Sequence, residues 1–139
     1  MREPAHVIDV MPTILDVAGA TYPREFRGRA IPAMEGVSLR PVLAGRGLSR
    51  TQPLFWEHEG NRAVRSGRWK LVSIYSKGWE LYDMSADRVE RNDFAARRPD
   101  LVKALGAAWD AWAARTSVDP WPGPPRLPWG DDAPSETGR

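Results

Sequence analysis

The sequence predicts an α+β fold: a four-stranded antiparallel sheet with a C-terminal helix packed on one face. Three observations carry this. Residues 53–84 hold short apolar runs with strand-like alternation, cut by turn chemistry at Gly60, Gly67 and Gly78. Leu101, Leu105, Ala108, Trp109 and Trp112 recur at helical spacing just downstream. The chain has 139 residues, 42% of them hydrophobic and 27% charged, enough for one packed core and too apolar for wholesale disorder.

The strands come first. Residues 53–58 read as the first strand, closed by Glu59-Gly60-Asn61, and residues 62–66 as the second, closed by Gly67. Residues 69–75 alternate, with Trp69, Leu71, Ser73 and Tyr75 on one face and Lys70, Val72 and Ile74 on the other. Lys77-Gly78 is a third turn, and residues 79–84 alternate again. Tight turns between four successive strands predict a meander, which needs a cover on one face to be stable. A helix over residues 99–115, opened by Pro99, supplies it. Burying its two Trp and two Leu contributes several kcal/mol at ~25 cal/mol per Å² of apolar area.

The flanks differ in character. Asp9 is placed to cap a short helix with Pro12 in its first turn, Met11, Ile14, Leu15 and Ala18 at helical spacing, and Gly19 as its stop. Residues 23–52 are rich in Pro and Gly and read as a long irregular connection, with Ser38 capping one short helix that carries Leu39, Val42 and Leu43. After Asp119 the chain turns proline-rich, and Trp121 and Trp129 are expected to pin an extended strap; disorder is expected beyond Gly130. The expected organisation is therefore residues 1–52, residues 53–118 and a tail over residues 119–139.

Composition excludes several classes of function. There is no cysteine, hence no disulfide scaffold, thiolate metal site or cysteine nucleophile in this chain. No apolar run approaches the ~18 residues of a membrane-spanning helix, so no membrane partner is expected. The 20 Lys and Arg are nearly balanced by 18 Asp and Glu and lie scattered among acids, so no nucleic-acid partner is expected; Trp56, Trp69 and Trp79 read as core residues of the sheet. There is no phosphate-binding Gly loop, no H-E-x-x-H and no G-x-S-x-G elbow. The two histidines, His6 and His58, are far apart.

One polar group stands out, Glu57-His58-Glu59 at the end of the first strand. It reads either as a solvated hairpin turn or as a histidine between carboxylates facing a cleft, accompanied by Asn61 and Arg62. Alternation puts Trp56 and His58 on one face and Phe55 and Glu57 on the other.

Five segments in order resemble the sulfatases of the alkaline phosphatase superfamily, arylsulfatases in particular. His6-Val-Ile-Asp-Val-Met-Pro-Thr-Ile-Leu-Asp-Val-Ala-Gly-Ala20 is similar to the segment closing their large α/β domain, and Glu35-Gly-Val-Ser-Leu-Arg-Pro-Val-Leu-Ala-Gly45 to the loop after it. Phe55-Trp-Glu-His-Glu-Gly-Asn-Arg-Ala-Val-Arg65, Gly67-Arg-Trp-Lys-Leu-Val72 and Trp79-Glu-Leu-Tyr-Asp83 resemble strands of their small C-terminal domain. The resemblance implies that residues 1–52 are the end of the large domain plus a connecting loop, and residues 53–118 the small subdomain.

It also implies a parent enzyme that hydrolyses sulfate monoesters with a formylglycine nucleophile and calcium. Neither is expected in this chain, which has no C/S-x-P-x-R motif and whose match begins after the family's metal ligands. The chain is expected to be an inactive C-terminal fragment. In the family a small-domain loop can lend a histidine to the sulfate pocket; the matching candidate is His58, with Asn61 beside it as a substrate-binding candidate. The alternatives are a fragment of a related phosphate or phosphonate ester hydrolase, and a non-catalytic binding module. The compartment stays open between bacterial cytoplasm and periplasm. Removed from a large domain, Met11, Ile14 and Leu15 would form an exposed patch through which the chain self-associates.

Overall fold

A computed structural model describes residues 4–48 and 50–122. The chain divides into two compact units, Met1–Thr51 and Gln52–Arg139. The expectations for Trp129 and for residues beyond Gly130 lie outside the described residues.

In the first unit, a 3-10 turn over Val7–Asp9 leads into helix α1, Val10–Ala18, which ends at Gly19. Against the sequence expectation, the Asp9 side chain makes no capping bond to this helix. The extra turn ahead of α1 takes the capping role, with His6 Nδ1 accepting from the Ile8 N–H at 3.3 Å. The Asp9 carboxylate is instead fully buried and accepts from His6 N–H and Val37 N–H, at 2.8 and 2.9 Å, and from the Arg50 guanidinium. Burial opposes ionisation of Asp9, but the Arg50 guanidinium and the two N–H groups together outweigh it and hold its carboxyl below the usual range.

No residue of α1 is fully buried. Val7, Val10, Met11, Ile14 and Val17 are exposed, whereas Leu15 is half-buried. The expected patch exists with Leu15 removed from it and three valines added, because the helix phase turns Leu15 inward.

The connection predicted as irregular holds a two-stranded hairpin, β1 (Glu25–Phe26) and β2 (Arg29–Ala30), closed by Arg27-Gly28 with both φ angles positive. Strands of two residues carry too little pattern to be read. Helix α2, Arg40–Leu43, follows, and the Ser38 hydroxyl accepts from Arg40 N–H at 3.2 Å while donating to Asp16 at 2.6 Å.

The second unit contains the predicted meander. Strands β3 (Leu54–His58), β4 (Asn61–Ser66), β5 (Trp69–Ser73) and β6 (Glu80–Asp83) pair antiparallel in sequence order. Phe55, Val64, Leu71 and Leu81 lie in register across all four strands, and helix α3, Pro99–Arg115, covers this row. Val64, Leu71, Leu81, Leu105, Trp109 and Ala113 form the buried core, with Phe55, Trp69, Trp79, Leu101 and Trp112 packed on it. Phe55 stacks on Trp112 with ring centroids 5.3 Å apart. Ala113 joins the helical stripe, while Ala108 stays at its half-buried edge.

Two expectations need correction. Trp56 is not core: it points away from α3 and is 37% exposed. The third connection is not a tight turn at Gly78. Strand β5 stops at Ser73, and six residues lead to β6. The Ser73 hydroxyl donates to the Lys77 carbonyl at 2.8 Å and Tyr75 N–H donates to Asn61 Oδ1 at 3.0 Å. These side-chain bonds draw the backbone out of the ladder, so Tyr75 leaves the alternation it was expected to continue.

Candidate functional site

The β3–β4 hairpin positions every candidate. Its loop is Glu59-Gly60, with φ of 53° and 78°, between the paired residues His58 and Asn61. Two positive φ angles give a turn whose twist matches that of the flanking strands. Three side-chain bonds fix it. Glu57 Oε1 accepts from Gly60 N–H at 2.8 Å, Asn61 Nδ2 donates to the His58 carbonyl at 2.8 Å, and Asn61 Oδ1 accepts from Tyr75.

His58 is exposed on the sheet face away from α3, at the very end of β3. Its ring makes no hydrogen bond to the described residues. Glu57 points to the opposite face and is engaged by the turn, so the Glu57-His58-Glu59 triplet does not converge on one point. Asn61 does lie beside His58, but its amide is largely engaged in holding the hairpin, with one Nδ2 hydrogen left over.

The α3 face of the same hairpin holds a second group, in which Glu57 and Arg62, expected to accompany His58, lie on the opposite side of the sheet from it. Glu57, Arg62 and Ser73 stand in register across β3, β4 and β5. The Arg62 guanidinium lies 4.4 Å from the Trp79 ring centroid and 5.3 Å from that of Trp109, and donates to Ser73 Oγ at 3.3 Å. A cavity of about 380 Å³ opens beside it, bounded by Glu57, Gly60, Arg62, Tyr75, Trp109 and Trp121 among others. The signal for Arg62 was present, since alternation from Val64 places it on the helix face. Nothing local could place Tyr75 or Trp121 there.

The remaining buried acids are structural. Burial opposes ionisation of Asp87, but the N–H groups of Asn92 and Arg91 outweigh it and hold its carboxyl below the usual range. Asp83 is paired with Arg68 and accepts from Ser85. Burial, reinforced by the bond to Glu80, pushes the Tyr82 hydroxyl up to about 12. Among the described residues no group of three or more His, Cys, Asp or Glu could hold a metal ion. No helix among them is long and apolar enough to cross a membrane.

Residues 2–105 match the family described as N-sulphoglucosamine sulphohydrolase, C-terminal. The chain belongs to this sulfatase family. Curated relatives agree. An uncharacterized sulfatase of Schizosaccharomyces pombe is 33% identical over an alignment of 124 positions that covers 81% of this chain and 22% of that protein. The choline-sulfatase of Rhizobium meliloti is 34% identical over an alignment of 124 positions that covers 84% of this chain and 23% of that protein. The chain thus spans about a fifth to a quarter of the length of the curated relatives it matches.

Among solved structures, one in complex with its substrate D-glucosamine-2-N,6-O-disulfate superposes with a TM-score of 0.55 at 26% identity, covering 81% of this chain and 24% of its own. The crystal structure of Ps i-CgsB superposes at 0.60 over 76% of this chain and 23% of its own, and at 18% identity it shows the shared fold. This sulfatase chain therefore carries the C-terminal region of the family, and the phosphate or phosphonate ester reading is the weaker one. The residues present do not fit the calcium and formylglycine implied for the family, since the sequence holds no C/S-x-P-x-R motif and the described residues hold no acidic cluster.

Proposed function

We propose that this chain is the C-terminal part of an enzyme that hydrolyses sulfate monoesters, with formylglycine and calcium held by the part of the protein outside this sequence. On this reading residues 1–52 close the large α/β domain, residues 53–118 form the small subdomain, and the 139-residue chain has no activity alone. The observation that carries the reading is the family match over residues 2–105, together with relatives named for sulfate esters, such as choline-sulfatase and the N-acetylglucosamine-6-O-sulfatase of Bacteroides thetaiotaomicron.

Within that enzyme, His58 is the residue of this chain that reaches the substrate. It stands exposed at a hairpin tip fixed by side-chain bonds, its ring making no hydrogen bond to the described residues, which suits a group that must meet a ligand. Its imidazole would offset charge on the sulfate or hand a proton to the leaving oxygen. Asn61 is the positioning residue, because it ties the His58 carbonyl to the turn and Tyr75. Its spare Nδ2 hydrogen is what remains for substrate.

The test is His58→Ala in the full-length enzyme, assayed with an aryl sulfate. The expected result is a kcat lower by about 10²-fold with little change in melting temperature. An unchanged kcat removes His58 from the site. Turnover of the aryl sulfate by the purified 139-residue chain would overturn the division of labour itself.

A further inference from the structure

We propose that the cavity between the β3–β4 hairpin and α3 is the seat of this chain's own proline-rich tail, with residues 124–129 laid across it and Trp129 inserted. The cavity measures about 380 Å³, and every residue around it belongs to the second unit. Its occupation does not depend on the catalytic reading above.

The walls call for an apolar occupant. Packed interiors leave few voids larger than a water molecule, and the lining of a larger one forfeits its contacts. Here Tyr75, Trp109, Val118 and Trp121 line the space. A Cβ built on Gly60 would collide with the Tyr75 ring and come 3.1 Å from Trp121 Cβ, so both side chains lie directly over the hairpin backbone. Tyr75 N–H donates to Asn61 Oδ1 at 3.0 Å, and the Trp109 indole N–H donates to the Trp56 carbonyl at 3.0 Å. Rings fixed in this way lose little freedom when a partner arrives.

The chain itself supplies that occupant. The described residues end at Pro122, directly after the Trp121 wall, and 17 residues follow. Pro122-Gly123 is the pair preferred at the centre of a reversing turn, so the segment after it can return over the cavity it has just left. That segment, Gly123-Pro-Pro-Arg-Leu-Pro-Trp129, carries three prolines, which preset an extended backbone and lower the entropy cost of docking. Aromatic-lined grooves are the surfaces that take such segments. Leu127 and Trp129 provide the apolar bulk. The short tether gives an effective concentration of roughly millimolar, so a weak contact suffices.

Charge selects the part of the tail that docks. The lining holds two carboxylates, Glu57 and Asp119, against the single guanidinium of Arg62, which is engaged with Ser73 and the Trp79 and Trp109 rings. Glu57 gives Oε1 to Gly60 N–H and keeps Oε2 for a further donor. The excess negative charge attracts Arg126 and opposes Asp131, Asp132 and Glu136 further along the tail.

The experiment is NMR on the 139-residue chain, reading nuclear Overhauser contacts to the Tyr75 and Trp109 rings. The expected result is contacts from the Trp129 ring and the Leu127 methyls to Tyr75, made within one chain. Trp129→Ala should shift the Tyr75 and Trp109 ring resonances and remove the Leu127 contacts as well, with spectral dispersion reporting that the fold is kept. Arg126→Glu should lower the ratio of docked to free tail about fivefold, as loss of a partly exposed ion pair does. Absence of the Trp129 contacts, Tyr75 and Trp109 resonances unmoved in Trp129→Ala, or docking undiminished in Arg126→Glu would each overturn the proposal. So would contacts that a mixture of isotope-labelled and unlabelled chains shows to run between molecules, since they would give the cavity to a second copy.

Discussion

The indole N–H of Trp109 donates to the backbone carbonyl of Trp56 at 3.0 Å, so the covering helix is bonded to the outermost strand as well as packed on the sheet. Trp109 is also the meeting point of the core: its ring lies edge-on to Trp79 at 6.4 Å, beside Trp112 at 6.0 Å, and under the Arg62 guanidinium. Trp109→Ala should therefore destabilise the second unit by ~3–5 kcal/mol, as a large aromatic truncation in a packed core does. Trp109→Phe keeps much of the packing and loses the hydrogen bond, and should cost less. Denaturant unfolding followed by far-UV circular dichroism separates the two; equal losses would mean that the bond and not the packing dominates.

The second prediction concerns the turn that carries His58. Gly60 has φ of 78°, and an added Cβ would fall 2.3 Å from Tyr75. Gly67 has φ of 52° but nothing within 4 Å of such a Cβ. Gly67→Ala should cost only the left-handed backbone penalty of ~1–2 kcal/mol. Gly60→Ala should cost more, since Tyr75 must also move. Thermal melts of the two variants check the order, and a smaller loss at Gly60 would show that Tyr75 is not held against the hairpin.

The sheet and its covering helix were legible because their information is local. Alternation, turn residues and an apolar stripe at spacings of three and four are all patterns between near neighbours in sequence, and α3 spans the predicted residues 99–115. The errors come from side chains that compete with the backbone ladder. Ser73 and Asn61 take backbone partners across the connection after β5, and no pattern of hydrophobicity announces that. Asp9 has the same character. As a residue type it suits a helix cap, but a partner 41 positions away, Arg50, determines its role. The candidate site divides likewise: His58 was recognised from its resemblance and strand position, whereas the Tyr75 and Trp121 walls of the cavity come from distant segments.

The Asp9–Arg50 pair makes the first unit acid-sensitive. Asp9 is fully buried and the Arg50 side chain is 9% exposed, so removing one partner leaves the other charge without compensation. Asp9→Ala should cost about 3–5 kcal/mol. The sign with pH follows from the direction of the shift. The folded-state carboxyl lies below its ordinary value of 3.8, so the stabilisation is complete above that pH and is lost as pH falls through the folded-state value. Hydrogen exchange of the Val37 amide, which donates to Asp9, should accelerate as the pair is broken by acid, relative to its intrinsic rate. Asp9→Asn should flatten that pH dependence; an unchanged profile in this variant would assign the acid response to another carboxylate.

The last prediction follows from the exposed face of the first unit. Val7 is 75% exposed, Met11 52%, Ile14 57% and Val17 64%, and these positions recur every three or four residues on one side of the opening turn and α1. A helix of nine residues is marginal without a packed face, and an apolar stripe of this size in water favours burial against another surface. In the proposed full-length enzyme that surface would belong to the large domain. The isolated chain has no such cover on this face of α1, so it should associate through it, with sedimentation velocity showing a concentration-dependent shift to larger species. Met11→Lys together with Ile14→Glu replaces two exposed apolar side chains without touching the buried Asp9, and opposite charges three residues apart add a weak favourable contact. This double variant should sediment as a monomer at concentrations where the wild-type chain does not, with the stability of the second unit unchanged. A wild-type chain that stays monomeric over the whole concentration range, or a double variant that associates equally, would show that the α1 face is not the adhesive surface.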